Sequence, residues 1–171
     1  MTVRRATRDD LEALAALWNA FMHEQARLEP RLRVAADAQA RWTNDAQHWL
    51  ADETTRLFVA ADPGSSPLAG YVMAHRWAPP PIFESGGEVF LQELFVRPEE
   101  RSRGVGQRLV ESVRTWAVSL GAERVRLEAL AANEAGRAFW AQLHATPISV
   151  GLAIELPQTT PALPPPRRIG F

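Results

Sequence analysis

Phe95-Val96-Arg97-Pro98-Glu99-Glu100-Arg101-Ser102-Arg103-Gly104-Val105-Gly106-Gln107-Arg108-Leu109 joins the end of an apolar run to the start of an amphipathic one. Pro98 closes a strand, an arginine-rich loop follows, and two glycines open a helix. Without a Cβ, Gly104 and Gly106 let backbone N–H groups converge on one point, where a helix N-terminus adds partial positive charge. Arg101 and Arg103 strengthen that field. The combination is a cradle for a diphosphate; the competing interpretation is a plain strand-to-helix turn with solvated arginines. Two other phosphate loops fail here. A dinucleotide-binding fingerprint needs a third glycine where Leu109 stands and a first glycine close behind the strand, whereas Gly104 lies well beyond Val96. A Walker loop needs a lysine, and every basic residue of this chain is arginine.

Working outward from the loop, Val105, Leu109, Val113, Trp116 and Leu120 share one face of a helix over 104–120, with Gly121 as its C-terminal cap. Glu88 to Val96 is the strand that feeds the loop. Upstream, Leu57–Ala61 and Leu68–Trp77 form a hairpin around Asp62-Pro63-Gly64-Ser65-Ser66-Pro67. Ala78-Pro79-Pro80-Pro81 and Ser85-Gly86-Gly87 bracket the next connection. Residues 2–5 read as an edge strand. Thr7 to Asp10 reads as a capping box for a helix carrying Leu11, Leu14, Leu17, Trp18, Phe21 and Met22 as far as about residue 27. Pro30 interrupts, and Trp42, Ala46, Trp49 and Leu50 mark a second helix. Downstream, 124–130 alternates as a strand, and Asn133 caps a helix carrying Ala135, Ala138, Phe139 and Leu143. Residues 148–156 give a last strand, interrupted at Gly151. The order predicts an α/β domain of three layers, a mixed and mostly antiparallel sheet with helices on both faces. The domain is expected over 1–156, with a proline-rich tail over 157–171, extended or disordered.

Composition narrows the function. At 171 residues the chain suits one domain, and 46% hydrophobic with 23% charged residues is ordinary globular balance. No apolar run approaches the roughly 18 residues of a membrane span, and no apolar segment follows the first residues as in a secretory signal. A cytoplasmic protein is therefore expected, without membrane attachment. A net charge of −1 argues against nucleic acid. Without cysteine there is no disulfide, thiolate nucleophile or cysteine metal site; without lysine there is no Schiff base. His23-Glu24 begins like a zinc-protease motif, but Arg27 stands where the second histidine belongs. No metal is expected. The tryptophans fall mainly on helix faces and read as core.

The spacing Arg101-x-x-Gly104-x-Gly106 resembles the acetyl-CoA signature of the GNAT superfamily of N-acetyltransferases. Further likenesses follow in order: Val3-Arg4-Arg5-Ala6-Thr7 with Asp10, Phe58-Val59-Ala60, Gly70-Tyr71-Val72, Leu94-Phe95-Val96-Arg97-Pro98, and Asn133-Glu134-x-Gly136-x-x-Phe139-Trp140. They cover about residues 2–156. The run Phe90 to Val96 is most similar to the diamine and polyamine acetyltransferases. The resemblance implies acetyl-CoA as co-substrate and direct transfer of its acetyl group to a primary amine of a small molecule or peptide. It implies that Leu94, Phe95 and Val96 offer backbone groups to the pantetheine arm. The amides from Arg101 through Ser102, Arg103, Gly104 and Val105 to Gly106, with Gln107 behind them, would take the diphosphate, and Asn133 would hydrogen-bond the cofactor.

An alkylammonium titrates near about 10, so an attacking amine needs a proton acceptor. Glu93, between apolar neighbours beside the loop, is the candidate base; a salt bridge to an arginine is its structural alternative. Glu88 and Glu128 are further candidates, expected to be solvated. Three departures from the family stand out. Gln92 replaces an acidic residue frequent in the polyamine enzymes, and Trp140 stands where a tyrosine often protonates the departing thiolate. Indole cannot give up a proton near neutrality, so Trp140 is expected to pack at the thiol end of the cofactor, or else in the core. The glycine usual after that helix is replaced by Leu143-His144-Ala145. A non-catalytic acyl-CoA-binding module and a nucleotide-binding regulatory domain are the alternatives, and a homodimer is plausible.

Overall fold

The computed structural model describes residues 1–62, 67–80, 82 and 86–157. Five strands lie in sequence order across one sheet: β1 (Thr2–Arg5), β2 (Thr55–Ala61), β3 (Gly70–Trp77), β4 (Glu88–Val96) and β5 (Arg124–Leu127). The first four pair antiparallel, and β5 joins β4 in parallel, as expected after a helical crossover. Helices α1 (Leu11–Leu28) and α2 (Ala38–Trp49) cover one face; α3 (Val105–Ser119) and α4 (Glu134–Gln142) lie on the other. The expected three-layer α/β architecture is the observed one.

Each layer has its own core. Leu14, Leu17, Trp18, Trp42 and Ala46 pack on Leu57, Val59, Tyr71, Met73 and Phe95. On the opposite face Val105, Leu109, Val113 and Trp116 meet Ala60, Val72, Ala74, Val89 and Leu91, so the helical stripe of α3 is the buried stripe. Leu109 is fully buried, and such a side chain contributes about 1.5–3 kcal/mol by leaving water. The entry to α1 is fixed by Asp10. Its carboxylate accepts the Thr7 amide at 2.8 Å and both Arg4 guanidinium nitrogens at 2.7 Å.

Two predicted strands differ from the structure. β5 ends at Leu127 rather than Leu130, because β4 stops offering it a ladder after the Leu91–Leu127 pair. Residues 148–156 form no strand: they join no ladder, and Ile148, Val150, Leu152, Ile154 and Leu156 are all exposed. Their alternation is real, but a strand exists only with a neighbour to bond. The turn at 63–66 and the tail beyond Pro157 lie outside the described residues. So do Pro81 and Ser85 of the β3–β4 connection.

Candidate active site

β4 carries the geometry of the site. Met73 pairs with Glu93 and Ala74 with Leu91, so Gln92 is an extra residue on β4. Such a bulge inverts which residues face which layer. Val89 and Leu91 face α3, whereas Glu93 turns towards the α1/α2 layer, with Phe95 behind it. The same bulge begins the divergence of β4 from β5, so that 92–96 has no strand on its β5 side. A cleft of about 550 Å³ opens in the gap. Gln92, Leu94, Phe95 and Val96 form one wall, and Glu128, Leu130, Asn133 and Trp140 the other. Phe21, Glu24 and Gln25 of α1 border it, and the glycine loop closes one end.

That loop is built for an anion. Ser102 and Gly104 both have left-handed backbones, with φ of 60° and 74°. Glycine suits the second without strain, while serine adopts the first at a cost of about 1 kcal/mol or more. Alternating conformations of this kind turn successive N–H groups inwards as a concave nest. The amides of residues 102–107 donate to no acceptor among the described residues. Arg101 donates to the Val96 carbonyl at 3.0 Å and the Glu24 carboxylate at 2.7 Å, and Arg103 pairs with Glu100 at 2.7 Å. The two arginines are therefore already partnered, and the attraction for an anion rests chiefly on the backbone. Among the described residues Arg108 has no acidic partner; its guanidinium donates to the Arg103 carbonyl at 3.4 Å and adds its charge beside the loop.

Asn133 caps α4, its Oδ1 accepting the Gly136 amide at 2.8 Å. A Cβ on residue 136 would sit 2.6 Å from the Asn133 Nδ2, so glycine there lets the asparagine tuck over the helix end. Trp140 is half-buried, stands edge-on to Phe139 at 4.9 Å, and lines the cleft.

Glu93 is not among the residues lining the cleft. Its Oε1 accepts the indole N–H groups of Trp18 at 3.1 Å and Trp42 at 3.3 Å, and its Oε2 accepts the Tyr71 hydroxyl at 2.9 Å. Burial pushes its carboxyl above the usual value, while the three donors pull the other way. No arginine among the described residues pairs with it. Burial, and then the Glu93 charge, hold the Tyr71 hydroxyl well above its ordinary value. Glu88 is buried rather than solvated, bonded to Arg124 at 3.0 Å, because β4 begins against β5 at that point. Glu128 is exposed at the cleft wall and has no hydrogen-bond or ion-pair partner among the described residues. No group of three or more metal-ligating side chains occurs among those residues, and none of the helices described is long and apolar enough to cross a membrane.

The fold is shared with solved acetyltransferases. The chain is similar to the BH1408 protein of Bacillus halodurans (tetramutant; TM-score 0.78, 17% identity, 91% of this chain and 100% of that one). It is also similar to an aminoglycoside 6'-N-acetyltransferase of Acinetobacter haemolyticus (TM-score 0.71, 16% identity, 93% and 100% covered). A third is the aminoglycoside N-acetyltransferase AAC(6')-Iy in complex with CoA (TM-score 0.69, 20% identity, 91% and 93% covered). No curated protein sequence matches it. The sequence model of the Acetyltransferase (GNAT) family matches residues 14–145, most of the domain from α1 past the end of α4, and the chain belongs to that family.

Proposed function

We propose that the protein is an N-acetyltransferase that moves the acetyl group of acetyl-CoA to a primary amine of a small molecule or peptide, in a ternary complex. The observation that carries this is the nest of unpartnered amides over 102–107, set at the end of a cleft along an unpaired strand edge. The amides of Ser102 to Gln107 would hold the CoA diphosphate. The free edge of Leu94, Phe95 and Val96 would bond the pantetheine amides as a missing strand would, and the Asn133 Nδ2 would hold the arm from the opposite wall. Acetyl-CoA supplies a thioester, a carbonyl that a neutral amine can attack directly. Trp140 offers a flat apolar wall but no acid, which is tolerable because a thiol titrating near about 8.5 is a good leaving group.

The amine must lose a proton, and two carboxylates compete for that role. Glu93 has raised proton affinity but spends both oxygens on Tyr71, Trp18 and Trp42. Glu128 favours the second reading: it lines the cleft and is free to meet an amine directly or through water. We assign the base to Glu128 and an organising role to Glu93, which fixes the indoles of α1 and α2 against the bulge. Two of the structural neighbours are aminoglycoside acetyltransferases by name. Together with the likeness of 90–96 to polyamine enzymes, this makes a small amine with several cationic groups the acceptor class to test first. Thiol release from acetyl-CoA should be measured over diamines, aminoglycosides, amino acids and peptides. Turnover with one class is the expected result. CoA binding without turnover on any amine would make the domain an acyl-CoA-binding module instead.

A further inference from the structure

We propose that Glu24 is a subsite for a second ammonium of the acceptor, distant from the reacting amine, and that Arg101 gives it up when a diphosphate fills the adjoining loop. The subsite rests on the acetyltransferase reading above, since it serves an amine that attacks acetyl-CoA. Phe21, Glu24 and Gln25 share one face of α1, at three- and four-residue spacing, and that face borders the cleft. Among the described residues Glu24 is the one carboxylate that α1 puts there. α1 lies on the sheet face that holds Glu93, whereas the glycine loop opens α3 on the other. A cofactor held by that loop would leave the α1 side of the gap to the acceptor.

Arg101 reaches from the loop to this border. Its Nε donates to the Val96 carbonyl at 3.0 Å, a terminal nitrogen donates to the Glu24 carboxylate at 2.7 Å, and the guanidinium lies 5.7 Å from the centre of the Phe95 ring. Phe95 in turn meets Phe21 of α1 at 6.1 Å. The Arg101 and Glu24 side chains are 43% and 27% exposed, and an ion pair so open to water is weak. A diphosphate in the nest carries more negative charge than one carboxylate and lies beside the residue that begins the loop. It therefore competes with Glu24 for the guanidinium. Once Arg101 turns to it, Glu24 is a carboxylate without a partner among the described residues, on the border of a cleft lined by Phe21 and Phe95. An ammonium restores the lost charge pair.

Spacing along β4 selects the acceptor. Leu91 pairs with Leu127, so Gln92 and Glu128 stand on either side of the point where the two strands part, and the reacting amine belongs there with its base. Arg101 ties Glu24 to the level of Val96, further along the same strand. At about 3.3 Å per residue, the step from Gln92 to Val96 covers roughly 13 Å. Extended diaminooctane or diaminodecane spans about that distance, and diaminobutane about half of it. The acceptor class is thus a polycation whose ammonium groups lie this far apart, rather than a short diamine.

Calorimetric titration of diaminooctane and of octylamine into the full chain, with and without CoA, tests this. CoA should tighten diaminooctane binding by about tenfold and leave octylamine binding unchanged, a coupling of ordinary size between two sites. Diaminobutane should behave as octylamine does. Glu24→Gln should abolish the tightening. Arg101→Gln keeps the loop amide and frees Glu24 permanently, so diaminooctane should bind that variant tightly even without CoA. Equal affinity of the CoA-bound wild type for diaminooctane and octylamine overturns the subsite, whatever the variants do. So does a wild type whose affinity for diaminooctane ignores CoA, or a tightening that persists in Glu24→Gln. If CoA itself does not bind the wild type, the acetyltransferase reading falls and the subsite falls with it.

Discussion

The Tyr71 hydroxyl donates a 2.9 Å hydrogen bond to Oε2 of Glu93 in the interior between sheet and helices, where neither side chain has appreciable exposure. A carboxylate and a phenol that cannot reach water each prefer the neutral form, and the bond makes each depend on the other. Both groups bind their protons more tightly in the folded state.

The signs give a paired prediction. Tyr71 is the sole tyrosine, so tyrosinate absorbance reports it alone. Its stabilising contribution is intact below the unfolded value of about 10 and is lost as pH rises above that. No tyrosinate signal should therefore appear until the protein unfolds, and the two transitions should coincide. Glu93 is raised as well, so its contribution is greatest below the ordinary carboxylate range and declines as pH rises towards the folded value. Melting temperatures of Glu93→Gln should lack that decline. Reversible ionisation of Tyr71 near 10 in folded protein would show the pair to be wet.

Much of this architecture was legible in the sequence because α1, α3 and the first four strands have one apolar face each, and periodicity reports faces. The glycine loop was legible for a different reason: Gly104 and Gly106 at a helix start restrict what the backbone can do. The position of Glu93 was not. One extra residue at Gln92 exchanges the two faces of β4, and alternation through 88–96 shows no break that a reader could see. Nor could the sequence show that Arg101 and Arg103 are held by Glu24 and Glu100, since Glu24 comes from α1, far away along the chain.

Removing basicity from the cleft should separate the two carboxylates. Glu128→Gln keeps shape and hydrogen bonding, so kcat/KM should fall by about 10²–10⁴ near neutral pH, with CoA affinity preserved. The loss should shrink as pH rises and more of the amine is already neutral. Glu93→Gln should keep most activity while changing the pH dependence of stability. The reverse pattern in steady-state kinetics would return the base to Glu93.

The nest over 102–107 should decide which nucleotide stabilises the protein. CoA at a hundredfold excess over Kd should add about 2.7 kcal/mol, while NAD and ATP add nothing comparable. Gly104→Val puts a β-branched residue at φ 74°, where the new Cβ also lies 3.3 Å from the Arg108 guanidinium. The CoA-induced rise in melting temperature should vanish in that variant, and dichroism should confirm the fold. An undiminished rise in a folded Gly104→Val protein would move the diphosphate away from this loop.

The end of α4 offers a stability test independent of any ligand. His144 follows the helix with φ 62°, and the Ala145 amide donates back to the Trp140 carbonyl at 3.0 Å, the position that glycine usually fills. The imidazole is exposed, so removing it costs little contact. An L-residue held left-handed loses about 1–2 kcal/mol, and glycine gives back part of that gain through its more flexible unfolded chain. His144→Gly should therefore raise stability by about 0.5–1 kcal/mol, a shift of roughly 1–4 °C in Tm for a domain of this size. α3 supplies the control, because Gly121 already occupies the matching position with φ 70° and open space around it. Gly121→Ala should lower Tm by a similar amount, since the strain is added with no clash to confuse it. If calorimetry finds His144→Gly neutral while Gly121→Ala destabilises, the α4 terminus relaxes in solution and His144 is not held in the left-handed conformation.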